Sequence, residues 1–184
     1  MKNKFLLIAC LSIFVLACTG EPDFSFTPEI GFNSIQVFFP QSLGKLGVPE
    51  KRDSVVITID FKDGDGDLGT NLTQKELTEL ALKNDPKLKN FIVDTYVSKN
   101  GKFIKSDFAD PNGGFLPFKL KNGSKNGPIE GTIDYSIIFT YGLIQDGTPF
   151  TGKRDTVKFA VTIKDRANNL SNTVETTPIV VYTK

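Results

Sequence analysis

The chain has 184 residues, and its 22 lysines and arginines against 21 aspartates and glutamates give a formal net charge of +1. This near-neutral balance offers no basic surface for nucleic acid. The sequence has no histidine and its 2 cysteines both lie near the N-terminus. A Ser-His-Asp site, a Cys-His site and an imidazole-bound zinc are therefore excluded, and any catalysis would depend on carboxylates, Lys, Tyr or Ser.

Residues 1–17 are typical of an export signal. Lys2 and Lys4 precede the apolar run 5–17, which is shorter than the ~20 residues that a membrane-spanning helix needs. The run ends in Val15-Leu16-Ala17-Cys18, which resembles a bacterial lipobox, where a cysteine after a small residue is diacylated and becomes the new N-terminus. The sequence predicts a leader over 1–17 and membrane attachment through lipid on Cys18. An ordinary secretory signal with a chance cysteine is the alternative.

Cleavage of the predicted leader would change the cysteine content and the net charge of the mature chain. Cys10 would be lost with the leader and Cys18 would be acylated, so the mature chain is predicted to have neither a disulfide nor a free thiol. Loss of Lys2 and Lys4 would change the net charge from +1 to −1. Thr19, directly after the cysteine, resembles the pattern for transfer to the outer membrane, so we expect an outer-membrane lipoprotein. Its face, periplasmic or cell-surface, stays open.

Residues 18–30 are predicted to be a tether, since the segment after the cysteine is small, polar and broken by proline. Phe24, Phe26 and Ile30 hint that its end docks on the folded domain. A first strand is expected over Ser34–Phe39, followed by a loop over 40–53 that contains Gly44, Gly47 and Pro49.

The strongest pattern lies in residues 55–69. Four large apolar side chains alternate with a mostly polar set, which predicts a half-buried strand; they are Val55, Ile57, Ile59 and Phe61. Asp63, Asp65 and Asp67 follow, and Gly64 and Gly66 separate them. The glycines let the backbone curl so that the carboxylates converge, and converged carboxylates repel each other unless a cation lies among them.

Calcium is the cation that this pattern favours, because it takes six to eight oxygen ligands in a flexible shell. The run resembles the start of an EF-hand loop, but Leu68 replaces the required glycine and Gln74 stands where the final glutamate would be. The segment is therefore not an EF-hand. The alternative is a hydrated Asp-Gly turn that merely ends the strand.

One short helix is predicted after this loop. Thr73 with Glu76 three positions later forms a capping box, Leu77 and Leu80 share a face, and the segment 84–86 with its proline ends the helix. The rest of the chain reads as strands and turns.

A hairpin is expected over 91–104 around Asn100-Gly101, and further strands over 129–140, 155–164 and 172–182. These elements predict an all-β, mainly antiparallel, immunoglobulin-like β-sandwich over 31–184, with one short helical insertion around 70–128.

Asp165 is a fourth candidate metal ligand. If 34–39 and 55–61 are the first two strands of a sandwich, and 156–164 and 173–182 the last two, the loops after Phe61 and Lys164 leave at the same end. Asp165 would then lie beside the other three aspartates, although it is also a common turn former next to Asn168-Asn169. The tether should enter at this end, which would make it membrane-proximal.

The segments Phe61-Lys62-Asp63-Gly64-Asp65-Gly66-Asp67-Leu68-Gly69 and Val161-Thr162-Ile163-Lys164-Asp165-Arg166-Ala167-Asn168-Asn169-Leu170-Ser171-Asn172 together are similar to a group of uncharacterised lipoproteins from Bacteroidetes-type bacteria. The resemblance implies an exported, lipid-anchored, immunoglobulin-like β domain and no established activity.

Two functions follow as expectations. The first is a non-catalytic envelope lipoprotein, a binding or structural module that recognises an envelope protein or a glycan, with calcium stiffening one loop. The second is a carboxylate-based carbohydrate-active enzyme, such as a glycoside hydrolase, using paired acids among Asp107, Asp110 and Glu130. The absence of tryptophan disfavours an extended sugar platform, for which Tyr96, Tyr135 and Tyr141 could substitute.

Overall fold

The computed structural model describes residues 20, 22–39, 41–43, 49–70, 72–83, 88–106, 113–116, 127–143 and 153–183. The predicted leader and Cys18 lie outside these ranges. The described residues form strands and one helix: β1 Glu29–Phe38, β2 Gln41–Leu43, β3 Pro49–Asp63, α1 Gln74–Lys83, β4 Phe91–Lys99, β5 Lys102–Lys105, β6 Ile129–Leu143, β7 Lys153–Ile163, β8 Val174–Glu175 and β9 Ile179–Thr183. Within these ranges, no helix is long and apolar enough to cross a membrane.

The first sheet is built around β3. Strand β6 pairs with one edge of β3 along nearly its whole length, while β1 and β2 follow one another along the other edge. Every pairing is antiparallel, and Ile59 lies between Phe32 of β1 and Ile133 of β6. Strand β3 therefore leads directly from the centre of this sheet into the aspartate-rich loop.

The second sheet is built around β4 and β7. Strand β4 pairs with β5 on one side and with β7 on the other. The far edge of β7 pairs first with β9, over Lys153–Val157, and then with β8 at Ala160 and Val161. All of these pairings are antiparallel as well, so the two sheets confirm the predicted all-β, mainly antiparallel fold.

The hydrophobic core lies between the two sheets. The apolar face predicted for the second strand is buried, with Val55, Ile57 and Ile59 fully inaccessible. The matching face of β7 is also inaccessible and consists of Val157, Phe159, Val161 and Ile163. The rings of Phe139 in β6 and Phe159 in β7 approach to 6.3 Å between centroids. Alternation of period two thus predicted which sides of β3 and β7 are inside the sandwich.

The predicted tether ends too late. Strand β1 begins at Glu29, so the expected boundary between tether and domain at residue 30 falls inside a strand. Pro28 and Ile30 are both buried. The predicted loop over 40–53 is also wrong in part. Residues 41–43 of this range form β2, and β3 begins at Pro49, where its first residues pair with β2. Single apolar residues among polar ones did not reveal these edge pairings.

Local signals predicted the helix and the hairpin well. The carboxylate of Glu76 accepts hydrogen bonds from the backbone N–H of Thr73 at 2.7 Å and from its hydroxyl at 2.7 Å. Asn100 and Gly101 have positive φ angles of 52° and 76°, as a two-residue hairpin turn requires.

The predicted insertion around 70–128 is too broad. Strand β4 lies within that range but pairs with β7 from Phe91 to Val97, and its side chains Phe91 and Val93 are in the core. It is therefore an integral strand of the second sheet. The last predicted strand, over 172–182, is broken into β8 and β9.

Candidate metal centre

The loop of residues 63–69, called the Asp loop below, starts where β3 ends. Gly66 and Gly69 have φ angles of +67° and +96°, a region that side chains with a Cβ rarely adopt. Gly64 is required for a different reason, since a Cβ there would overlap the carbonyl oxygen of Phe24 and lie 2.8 Å from that of Ser25. The loop therefore curls through the positive φ angles of Gly66 and Gly69, and the absence of a side chain at Gly64 lets the N-terminal segment pack against it.

The curled loop brings three carboxylates together. One ligand oxygen from each of Asp63, Asp65 and Asp67 lies within 4.8 Å of the other two. Asp63 is fully buried and the other two are half-buried. In each of the three, Oδ1 is buried and has no hydrogen-bond partner among the described residues. Buried polar atoms nearly always have a partner, so three such oxygens in one cluster point to a cation.

The electrostatics of the cluster agree with this. Burial first, and then the charge of Asp65, raise the pKa of Asp63 to about 6. Burial, followed by the charges of Asp165 and Asp65, also raises the pKa of Asp67, although Arg166 opposes that shift. The protein alone therefore does not compensate the negative charge that it concentrates here, and a bound cation would.

Hydrogen bonds hold the second carboxylate oxygens in place. Oδ2 of Asp63 accepts a bond from the backbone N–H of Asp67 at 2.9 Å, which closes the loop. Oδ2 of Asp67 accepts a bond from the backbone N–H of Ala167 at 3.1 Å. In both residues one oxygen is fixed by the backbone and the other is left for a ligand. This division of roles orients the two carboxylates before an ion arrives.

The predicted meeting of the two loops at one end of the sandwich is confirmed. Arg166, which follows β7, donates from Nε to the carbonyl oxygen of Asp67 at 2.7 Å. Asp165 is buried, with 2% of its surface exposed, and its carboxylate accepts bonds from the backbone and side-chain amides of Asn169 at 2.7 and 2.8 Å. Asp165 thus organises its own turn, and it is not in the group of oxygens within 4.8 Å. Its role as a metal ligand stays a prediction.

The donor set indicates which ions fit. The three side chains offer only oxygen, and hard cations such as calcium and magnesium take oxygen ligands. Asp65 and Asp67 are partly accessible, which leaves room for water to complete a larger shell. Magnesium demands near-ideal octahedral geometry, whereas calcium accepts an irregular arrangement built on a loop.

Other segments that support the Asp loop were not predicted. The side chain of Asn90 donates to the carbonyl oxygen of Gly69 at 3.2 Å and accepts a bond from the backbone N–H of Leu116. Gly127 donates from its backbone N–H to the carbonyl oxygen of Asp65 at 3.2 Å. An asparagine or glycine before a strand is an ordinary turn signal, so nothing in the sequence marked these residues as neighbours of the aspartates.

Among the described residues, no pair of the carboxylates expected for an enzyme is seen together. Glu130 is exposed on β6, while Asp107 and Asp110 lie outside the described ranges. The ring of Tyr135 stacks on that of Phe91 at 4.6 Å between centroids. It therefore packs with the core, and a sugar platform would need it to face solvent.

Comparison of the chain with protein-family models, with curated proteins and with solved structures finds no match. The fold and the site define an antiparallel β-sandwich with a carboxylate cluster that could hold a metal ion. The functional argument therefore depends on the geometry of this site and on the sequence.

Proposed function

We propose that the protein is a non-catalytic, lipid-anchored lipoprotein of the outer membrane, an immunoglobulin-like binding or structural module whose Asp loop binds calcium. Diacylated Cys18 is the anchor, and an envelope protein or a glycan is the partner. The observation that carries the calcium proposal is the cluster of three buried Oδ1 atoms without hydrogen-bond partners, on Asp63, Asp65 and Asp67.

The position of the site supports a structural role for the ion. The Asp loop contacts the N-terminal segment through Gly64, the start of β6 through Gly127, and the loop after β7 through Arg166. An ion among its carboxylates would fix the end of the sandwich at which all of these segments meet. It would act as a stabilising ligand, since an ion that binds only the folded state shifts the folding equilibrium by mass action.

The path of the chain supports a membrane-proximal position for the site. Glu29 of β1 pairs with Lys62 of β3, and the backbone N–H of Gly64 donates to the carbonyl oxygen of Ser25 at 2.8 Å. The segment that leads back to Cys18 therefore leaves the sandwich beside the Asp loop. Anchoring at Cys18 would place this end toward the lipid.

Calcium titration by calorimetry tests the proposal. The full chain in detergent should bind one calcium ion per molecule, and Asp65→Asn should lose this binding because it removes one charged ligand. Asp134→Asn is the matched control, because Asp134 is an exposed aspartate on β6 that accepts a bond from the Thr58 hydroxyl at 2.6 Å. Absence of calcium binding by the unmodified chain at millimolar calcium would refute the metal proposal.

A further inference from the structure

We propose that calcium at the Asp loop fastens segment 22–28, which leads back to the proposed anchor at Cys18, onto the domain, so that calcium controls how far the sandwich stands from the membrane. This inference depends on the proposed calcium site and assigns it a regulatory role. It concerns a contact between the Asp loop and the N-terminal segment, beyond the stabilisation of the loop itself.

The contact is made by the residue between two of the ligands. Gly64 lies between Asp63 and Asp65, and its backbone N–H donates to Ser25 at 2.8 Å. The fit is tight, since even one added methyl group at Gly64 would overlap the backbone of Phe24. Gly64 therefore joins the Asp loop to the N-terminal segment, and a shift of either neighbouring aspartate would move the peptide that donates to Ser25.

The segment has few other attachments among the described residues. The Lys62 ammonium lies 5.5 Å from the centroid of the Phe24 ring, Pro28 is buried, and Phe26 is 69% exposed. A single backbone hydrogen bond contributes only about 1 kcal/mol net, and an exposed cation–aromatic pair contributes about as much. These contacts hold the segment weakly, so the state of the Asp loop decides whether it stays docked.

Without the ion, repulsion among the three carboxylates favours a more open loop. Opening moves Gly64 away from Ser25 and frees residues 22–28. An extended chain spans at most about 3.5 Å per residue, so release of this segment would lengthen the free tether by at most about 25 Å. Bound calcium would keep residues 22–28 docked on the domain. The tether would then stay short, and the sandwich would keep one orientation relative to the membrane.

Chymotrypsin cleavage of the full chain tests this proposal. Cleavage after Phe24 or Phe26 requires the segment to leave the domain, and mass spectrometry identifies the cut. If opening destroys the ion site, calcium slows this cleavage by a factor that approaches 1 + [Ca²⁺]/Kd, about 100-fold at 100 times Kd. Cleavage after Phe103, on the remote strand β5, is the internal control and should not depend on calcium.

Two variants separate the contact from the ion. Phe24→Ala removes the ring that the Lys62 ammonium approaches and leaves the Asp loop unchanged, so it should bind calcium but be cut faster after Phe26 than the unmodified chain when calcium is bound. Phe38→Ala is the matched control, because Phe38 is a 49% exposed ring on β1, outside segment 22–28. It should be protected by calcium as the unmodified chain is.

The outcomes distinguish the two proposals. Calorimetric calcium binding with at least tenfold slower cleavage at the segment and no change at Phe103 supports the fastening role. Calcium binding with an unchanged cleavage rate at the segment overturns the fastening role and leaves the calcium site standing. Failure to bind calcium overturns both.

Discussion

Replacing Asp65 by asparagine should change the stability of the protein in opposite directions with and without calcium. The substitution keeps the shape of the side chain and removes one charge from a crowded cluster. Asp65 raises the pKa of both Asp63 and Asp67, which means that the ionised carboxylates repel each other in the metal-free protein. Without calcium the variant should therefore be more stable than the unmodified protein.

The magnitude follows from the separation of the carboxylates. Two unit charges no more than 4.8 Å apart repel by at least about 1 kcal/mol in water and at least about 3.5 kcal/mol at an effective dielectric constant of 20, before screening by salt. Because Asp65 is half-buried, we expect metal-free Asp65→Asn to gain about 1–3 kcal/mol. For a domain of this size, 1 kcal/mol shifts the melting temperature by about 2–4 °C.

Calcium should reverse the order. At 1,000 times Kd, calcium adds about 4.1 kcal/mol to the unmodified protein, which exceeds the metal-free gain of the variant and corresponds to a rise in Tm of about 8–16 °C. Asp65→Asn should lose most of that rise. Circular dichroism melting of both proteins in chelator and in calcium, at pH 7.5, measures all four states.

Two results would contradict the reasoning. A variant that melts below the unmodified protein in chelator would show that the Asp65 carboxylate is not under repulsion. An equal calcium response in both proteins would show that Asp65 is not a ligand. Asp134→Asn, on the outer face of β6, should change neither comparison and controls for the general effect of losing a surface charge.

Two further predictions concern other parts of the chain. Hydrogen bonds from the backbone and hydroxyl of Thr73 hold the pKa of Glu76 below its ordinary value of 4.5; the capping box should therefore stabilise the helix above pH 4.5 and lose this effect as the pH falls through the lowered pKa. Thr73→Ala removes the hydroxyl bond and keeps the backbone bond, so the pKa of Glu76 should rise part of the way toward 4.5; an NMR titration that shows the same pKa in both proteins would contradict the hydroxyl's part in the cap. Cys18→Ser should move the protein from the membrane to the soluble fraction, because lipid on this cysteine is the proposed anchor; persistence in washed membranes would argue against that anchor.

Much of the fold was determined by local sequence signals. Period-two alternation identified the buried faces of β3, β6 and β7, because successive side chains of a strand point to opposite sides of a sheet. The pair Asn100-Gly101 fixed the β4–β5 turn through its positive φ angles. Thr73 and Glu76 likewise fixed the start of α1. These signals act over a few residues, so the sequence alone contains them.

The edges of the sheets needed the tertiary structure. Strand β2 and the first residues of β1 have weak patterns of their own, and they are strands because β3 offers unpaired backbone groups beside them. The amide of Asn172 shows the same dependence, since it exchanges two hydrogen bonds of 2.8 Å with the backbone of Ile30, far away in sequence. Backbone pairing carries no side-chain signature, so residue types do not reveal it.

The candidate metal centre depends both on local sequence signals and on the tertiary structure. The spacing of Asp63, Asp65 and Asp67 between glycines predicted from the sequence that these carboxylates cluster, which the structure shows, since carboxylates on a short flexible loop can converge locally. The tertiary fold determined the hydrogen bonds around this loop. Gly64 donates to the carbonyl oxygen of Ser25 and Arg166 donates to the carbonyl oxygen of Asp67. The carboxylate of Asp165 accepts a hydrogen bond from Asn169. These contacts depend on which chain segments the two sheets bring to the same end, a long-range property that no local pattern encodes.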